Sequence, residues 1–457
     1  MTALTAHRLH FAFSIVYHYL FPQLTMGLGL VIVILKGLGL RGHPLAADAA
    51  RFWARVFGLT FVMGVITGIP LEFQIGAGWS RFAAATGGVI GQSLAMEGVF
   101  AFFLESTFLY LFLFAEKKLT ARQHFGVALA VMGGSWLSGF FIIVTNAFMQ
   151  HPVGHVLGDD GVVRLGSLVT YLTNPWAAVQ YLHTMTGSVV TAAFVVSAAG
   201  AFYLLQDKHV AHAKLFLKIG IITGVIAAFM MAMPTGDLSA RLVAKYQPIS
   251  FAAMEGHFYT EDGAALTLIG QPDMEKLAID NPIAIPRALS FMTHQRWNAR
   301  IEGLTAFPQS LWPDNVVLLY YSYHIMVGLG TLFMGLMGIS AFLLRKERLY
   351  LVRARPVLWA LMLAAPFPFI ANTAGWMTTE LGRQPWLVYG IMRTEKGYSS
   401  HVSAGNAIFT LLGYMAIYAL LSLLFAFVAY QIVSDGPGAK PVSHPGGEVP
   451  SAVTGEL

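Results

Sequence analysis

The stretch LAMEGVFAFFLESTFLYLFLF (94–114) decides the fold. An apolar run of this length can cross a hydrocarbon core, which takes about 20 helical residues. It is continuous rather than alternating, so it reads as a helix and not as a strand of a barrel. It also keeps two carboxylates, Glu97 and Glu105, at depths where an ionised side chain is costly. An element that retains such groups carries function.

Eight more apolar runs flank it. The nine spans are expected near 10–36, 53–78, 93–115, 125–149, 178–204, 215–234, 313–343, 357–380 and 403–432. The 457 residues are 56% hydrophobic and 11% charged, with a mean hydropathy of +0.63. A soluble domain carries about a quarter charged residues, so the apolar excess must face lipid. The fold class is an all-α polytopic membrane protein. With no cysteine, disulfides, iron–sulfur clusters, thioether-attached haem and thiolate zinc sites are excluded. The formal charge of +5 is dispersed, which gives nucleic-acid binding no support. The absence of a phosphate-binding glycine loop argues against an ATP-driven pump.

Lysine and arginine set the expected orientation. With the N-terminus outside, the inner segments hold 16: four at 36–55, three at 117–122, three at 208–218, five at 345–355, and Lys440. The outer segments hold 12, six of them in one long loop, 235–312, that counts little. The expected topology is N-terminus outside and C-terminus inside, with that loop between helices 6 and 7 on the outer side. The first helix lacks a basic leader and a cleavage site, so it is expected to stay attached. The organisation is then a membrane domain over 1–432 and a Gly/Pro-rich, disordered cytoplasmic tail over 433–457.

Four ionisable residues from four helices fall in the outer third: His18 in YHYLFPQLT (17–25), Glu97, His183 in NPWAAVQYLHTMTG (174–187), and Glu380 in GWMTTELGRQPW (375–386). Each has a plain reading too. A lone imidazole is often a helix-to-helix hydrogen bond, and Glu380 with Arg383 can be a structural pair. Met326 in YYSYHIMVGLG (320–330), one of 20 methionines, reads on spacing alone as core. The chemical reading is redox. Imidazole and thioether suit haem iron; a His/Met pair gives an electron-transfer haem, and a single ligand leaves a position for dioxygen. Glu97 and Glu105 stand about 12 Å apart along a helix and about 80° around it, so a proton needs intermediates between them.

The ordered motifs YHYLF (17–21), ITGIPLEFQIGAGWS (66–80), AMEGVFAFFLESTF (95–108), TNAFMQHP (145–152), NPWAAVQYLHT (174–184), AAMEGH (252–257), HIMVG (324–328) and GWMTTELGRQPW (375–386) resemble subunit I of cytochrome bd-type quinol oxidases. The resemblance implies a terminal oxidase of the bacterial cytoplasmic (inner) membrane. Such an oxidase takes electrons from quinol outside, reduces dioxygen to water, and generates proton motive force without pumping. It implies a low-spin haem (haem b558) on His183 and Met326, and two high-spin haems, haem b595 and haem d or a further haem b. His18 matches the ligand of one high-spin haem and Glu380 the carboxylate of the other. Glu97 matches the acid beside the oxygen-reacting haem, with Glu105, Ser138 and Asn146 on its proton route. Arg383 matches a propionate or carboxylate partner, and Trp376 the aromatic between haems. Glu255 and Ser250 fall in the quinol loop, 235–312. A subunit II and a small single-span subunit are the implied partners.

Two departures stand out. His324 replaces an arginine common in the family, and Ser250 replaces the lysine that accompanies the loop glutamate. The short loop and His257 lean toward the cyanide-insensitive branch. Two rivals compete with this reading. A haem-free proton-coupled transporter would need broken helices, hinted at by Pro22 and Pro70. A b-type electron-transfer subunit would leave His18, Glu97 and Glu380 unused.

Overall fold

All nine apolar runs fold as helices in the computed structural model, which describes residues 1–438. In chain order they are α1 (Ala3–Leu40), α2 (Ala46–Gly78), α3 (Ser80–Phe114), α4 (Ala121–Gln150) and α5 (Pro175–Leu205). They continue with α6 (Val210–Tyr246), α7 (Val316–Leu344), α8 (Arg355–Leu363 with Phe367–Gly382) and α9 (Ala404–Asp435). Eight are long and apolar enough to span alone; α8 is the ninth, a pair bent by 41°. Local chemistry fixes several starts. Thr120 and Gln123 form a capping box at α4, Asn174 caps α5 ahead of Pro175, and Ser403 caps α9.

The helices outrun their apolar cores. α1 begins at Ala3 rather than near 10, and α6 continues to Tyr246, twelve residues past the expected 234. Backbone hydrogen bonding continues where lipid contact stops, so hydropathy marks the membrane and not the helix end. Part of the expected loop 235–312 is therefore helical. α9 likewise runs through 433–435; the rest of the expected tail from 439, with Lys440, lies outside the described residues.

Pro22 and Pro70 sit inside α1 and α2 without interrupting them, which removes the broken-helix hint. The irregular turns lie elsewhere: a π-helical turn at Glu97–Phe102 in α3, a π-type turn at Met231–Gly236 that kinks α6 where Met233 leaves helical geometry (φ −136°, ψ 117°), and the bend in α8. Such π turns often mark functional sites.

Packing is uneven. In α5, 72% of the most apolar window is buried, against 17% in α3 and 6% in α9. Small residues such as Ser188, Ala192, Ala193 and Ser197 are fully buried on α5, as suits close helix approach in lipid. The start of α1 meets the start of α7 through Arg8 and Asp314 at 2.7 Å. The end of α2 meets the start of α9 where the Ser399 amide donates to the Gly78 carbonyl at 3.0 Å. These contacts define one end of the bundle, and the α6–α7 loop lies there.

That loop is structured. A short helix, Pro248–Glu255, is followed by an antiparallel hairpin, β1 (Leu266–Asp273) and β2 (Ala278–Ile285). His324 ties the hairpin to α7. Its Nδ1 lies 2.8 Å from the Tyr320 carbonyl and its Nε2 3.1 Å from that of Thr267. The imidazole thus bridges two carbonyls, one on its own helix and one on the hairpin.

Candidate haem and proton-transfer site

Two imidazoles are held by the same device. His18 Nδ1 lies 3.0 Å from Thr67 Oγ1, whose own hydroxyl donates to the Met63 carbonyl at 2.7 Å. A hydroxyl has one proton to give, so the ring must donate and Nδ1 carries the hydrogen. Nε2 is left as the lone-pair nitrogen. His183 repeats this: Nδ1 is 3.1 Å from Thr235 Oγ1, and Thr235 donates to the Met230 carbonyl at 2.9 Å. An oriented neutral imidazole with a fixed tautomer is how histidine presents itself to a metal.

Sequence reading missed both threonines. The signal was a Thr-Gly pair, 67–68 and 235–236. A Cβ at Gly68 would stand 2.9 Å from His18 Cε1, so the ring needs glycine there to reach the threonine. Thr235 lies in the π turn Met231–Gly236, where the turn lets a hydroxyl of α6 face α5.

Met326 is placed by another close approach: a Cβ at Gly375 would sit 2.8 Å from its sulfur. The thioether therefore packs on the backbone of α8, one residue before Trp376. Trp376 meets Tyr19 edge-to-face at 5.5 Å. The π turn beside His183 packs on α7, with the Met231 methyl 3.4 Å from the position of a Cβ at Gly330. Gly330 lies one turn beyond Met326.

The acids are served by one face of α4. Ser135 donates to buried Glu105, Ser138 donates to Glu97 Oε1 at 2.7 Å, and Asn146 Nδ2 donates to Glu380 Oε1 at 2.7 Å. Gln180 in turn donates to Asn146 Oδ1 at 2.8 Å. The expected Ser138 and Asn146 are thus beside acids, each beside a different one. Ser135, the partner of Glu105, was not singled out. Its signal is the i,i+3 spacing to Ser138, which puts the two hydroxyls on one face of α4. Arg383 donates to Glu380 Oε2. Its Nε and Nη1 are buried without partners, donors that an anionic oxygen would satisfy.

At the loop, Glu255 is buried with Oε2 unpartnered. Burial pushes its carboxyl up to about 7, opposed by the Tyr323 hydroxyl beside it. The Ser250 hydroxyl donates its one proton to the Gly382 carbonyl at the end of α8, with Gln247 Oε1 a more distant neighbour at 3.2 Å. It joins the loop to the segment that holds Glu380.

Among the described residues no three His, Asp or Glu side chains converge as a bare-metal site. Isolated axial donors, buried carboxylates and an arginine with spare donors fit haem, whose porphyrin supplies the other iron ligands. Fold and site define a multi-span helical membrane protein equipped for haem redox chemistry. More narrowly, the chain belongs to the cytochrome bd terminal oxidase subunit I family, whose model matches residues 6–437. It is 31% identical over 446 residues to the cytochrome bd ubiquinol oxidase subunit 1 of Bacillus subtilis (strain 168), covering 95% of this chain and 94% of that one. It is 29% identical to the cytochrome bd-II ubiquinol oxidase subunit 1 of Escherichia coli (strain K12), covering 96% and 98%. The solved bd oxidase of Geobacillus thermodenitrificans superposes with a TM-score of 0.88 at 28% identity, covering 95% of this chain and 99% of that chain. As a family member this chain is a catalytic, haem-dependent oxidoreductase subunit of a terminal oxidase, a multi-pass protein of a bacterial membrane.

Proposed function

We propose that the chain is the haem-bearing subunit of a quinol oxidase in the bacterial inner membrane, with its N-terminus and α6–α7 loop outside. The observation that carries this reading is the pair of threonine-held imidazoles, His18 and His183, each with Nε2 free. His183 and Met326 hold the low-spin haem b558. His18 and Glu380 hold the two high-spin haems, b595 and d or a second haem b. Bound haem supplies the electron path and the iron at which dioxygen is reduced.

The chain's own residues do the rest. Glu255 accepts a proton from quinol at the outer end. Glu105, with Ser135, takes protons arriving from the inner side and passes them by way of Ser138 to Glu97. Asn146 and Arg383 hold Glu380 between two donors, and the spare Arg383 donors receive haem propionates. Trp376, next to the Gly375 backbone on which Met326 packs, would lie between haems. Protons consumed from inside and released outside separate charge without a pump. A second subunit covers part of the lipid-exposed surface, with a small single-span subunit beside it.

Haem extraction with a reduced-minus-oxidised spectrum tests this reading. Low-spin and high-spin bands are expected, and Met326→Leu should remove the low-spin α-band while the protein still inserts. Purified complex without Soret absorption would end the reading.

A further inference from the structure

This chain has lost the lysine that accompanies the loop glutamate in its family, and the two nearest substitutes in sequence are occupied elsewhere. Lys245 lies over the Tyr246 ring at 4.8 Å, and His257 Nε2 faces the Ile301 carbonyl at 3.3 Å. A different cation borders Glu255. A narrow slot, with about 290 Å³ of free space counted out to its open mouth, is lined by Asp237 and Arg241 from the end of α6, Glu255, Tyr323 from α7, and apolar Phe251 and Met292.

Two atoms there lack partners. Arg241 commits its terminal nitrogens to Asp237 at 2.9 Å and to the Gln295 carbonyl at 3.0 and 3.1 Å, in the amide orientation that satisfies both side chains. Its Nε–H remains buried and unpaired. Glu255 Oε2 is the matching buried acceptor. A buried donor and a buried acceptor left open on one slot are unfavourable until something fills them. A phenolic hydroxyl does both: it donates to the carboxylate and accepts from the guanidinium.

We propose that Arg241 is the positive charge of the quinol site, binding the hydroxyl whose proton Glu255 receives. The proposal rests on the loop reading above. Each quinol gives up two protons and two electrons and becomes quinone. One proton leaves by way of Glu255 and the other goes to the outer water, and the two electrons go to haem. Two quinols thus supply the four electrons that turn one dioxygen and four inner-side protons into two waters. Arg241 stabilises the negative charge that grows on the quinol oxygen as its proton leaves, the service the lost lysine could have given. Ser250 cannot give it, because its hydroxyl is committed to the Gly382 carbonyl.

The test uses the intact complex, a short-tailed water-soluble quinol and an oxygen electrode. Arg241→Gln should raise the quinol KM about tenfold or more, the loss of one charged hydrogen bond. It should also move the rising limb of the pH profile upward, because a nearby cation favours the carboxylate and its loss favours the acid. The groups facing Glu255 are Asp237 and Arg241 from α6 and Tyr320 and Tyr323 from α7; of these only Arg241 carries positive charge. Arg241→Lys should keep the KM within about threefold of wild type and keep the limb. A purely structural arginine would change thermal stability and leave KM and the pH limb alone. Wild-type KM and pH limb in Arg241→Gln, alongside loss of quinol turnover in Glu255→Gln, would overturn the role of Arg241 and spare the loop. Wild-type quinol turnover in Glu255→Gln would overturn the loop reading itself.

Discussion

Replacing Thr235 with valine removes one oxygen and almost no volume, yet it should disturb the low-spin haem. The Thr235 hydroxyl is the acceptor for His183 Nδ1–H at 3.1 Å, with the Met231 carbonyl the other acceptor beside the buried ring. Held in place without the hydroxyl, the N–H loses its partner, at a cost of about 1–3 kcal/mol. The ring escapes that cost by turning toward another acceptor, which carries Nε2 away from the iron. Loss of such an outer partner typically weakens metal holding about ten- to a hundredfold. Where haem stays bound, an imidazole that no longer donates is a poorer electron donor, so the reduced state gains. The midpoint potential should rise by about 40 mV for each kcal/mol that separates the two oxidation states. Thr235→Ser keeps the oxygen and should behave as wild type. The assay is low-spin α-band intensity per extracted haem, followed by potentiometric titration of the same band. A valine variant with wild-type band and midpoint would show that the threonine does not hold the ligand, and would refute the reasoning.

Gly375→Ala should displace Met326, because its Cβ would press within 2.8 Å of the sulfur; the low-spin band should weaken or turn high-spin while haem at the His18 site is unchanged. Ser135→Ala should slow oxygen reduction severalfold, and Glu105→Gln more strongly, with all haem bands retained; full turnover in either would place proton entry elsewhere. Quinol oxidation should rise with pH and level off above about 7, since only the ionised Glu255 accepts a proton and burial holds its carboxyl near that value. Glu255→Gln should flatten this limb and remove most quinol-dependent oxygen uptake, while an artificial donor that bypasses the loop still drives the enzyme.

The spans were legible because the membrane imposes them: an apolar run near 94–114 has few other ways to exist. The bend between Leu363 and Phe367 was not, since Ala364, Ala365 and Pro366 read as more of the same apolar run. The acids and imidazoles stood out against hydrocarbon, and four helices did bring such residues to useful neighbours. Their partners did not stand out. Thr67, Thr235 and Ser135 are small, neutral and common in helices, and only the facing helix reveals what they serve. His324 shows a similar limit. Its identity suggested a changed charge, whereas the fold uses it as a tether between α7 and the hairpin, which no spacing rule could foresee.

The uneven burial of the helices bears on how the chain is made. α5 is the hub, and its small buried residues hold it by contact with neighbours. α9 is covered little by the rest of the chain, with only 6% of its most apolar window buried. Within this chain it has little protein to lean on, so its insertion draws on its own composition. Its mean hydropathy of 2.3 is the highest of the eight single helices. Membrane insertion and helix docking, two separate demands, weigh differently on the two helices: α9 has the higher hydropathy, 2.3 against 1.9, and α5 has most of its apolar window against protein.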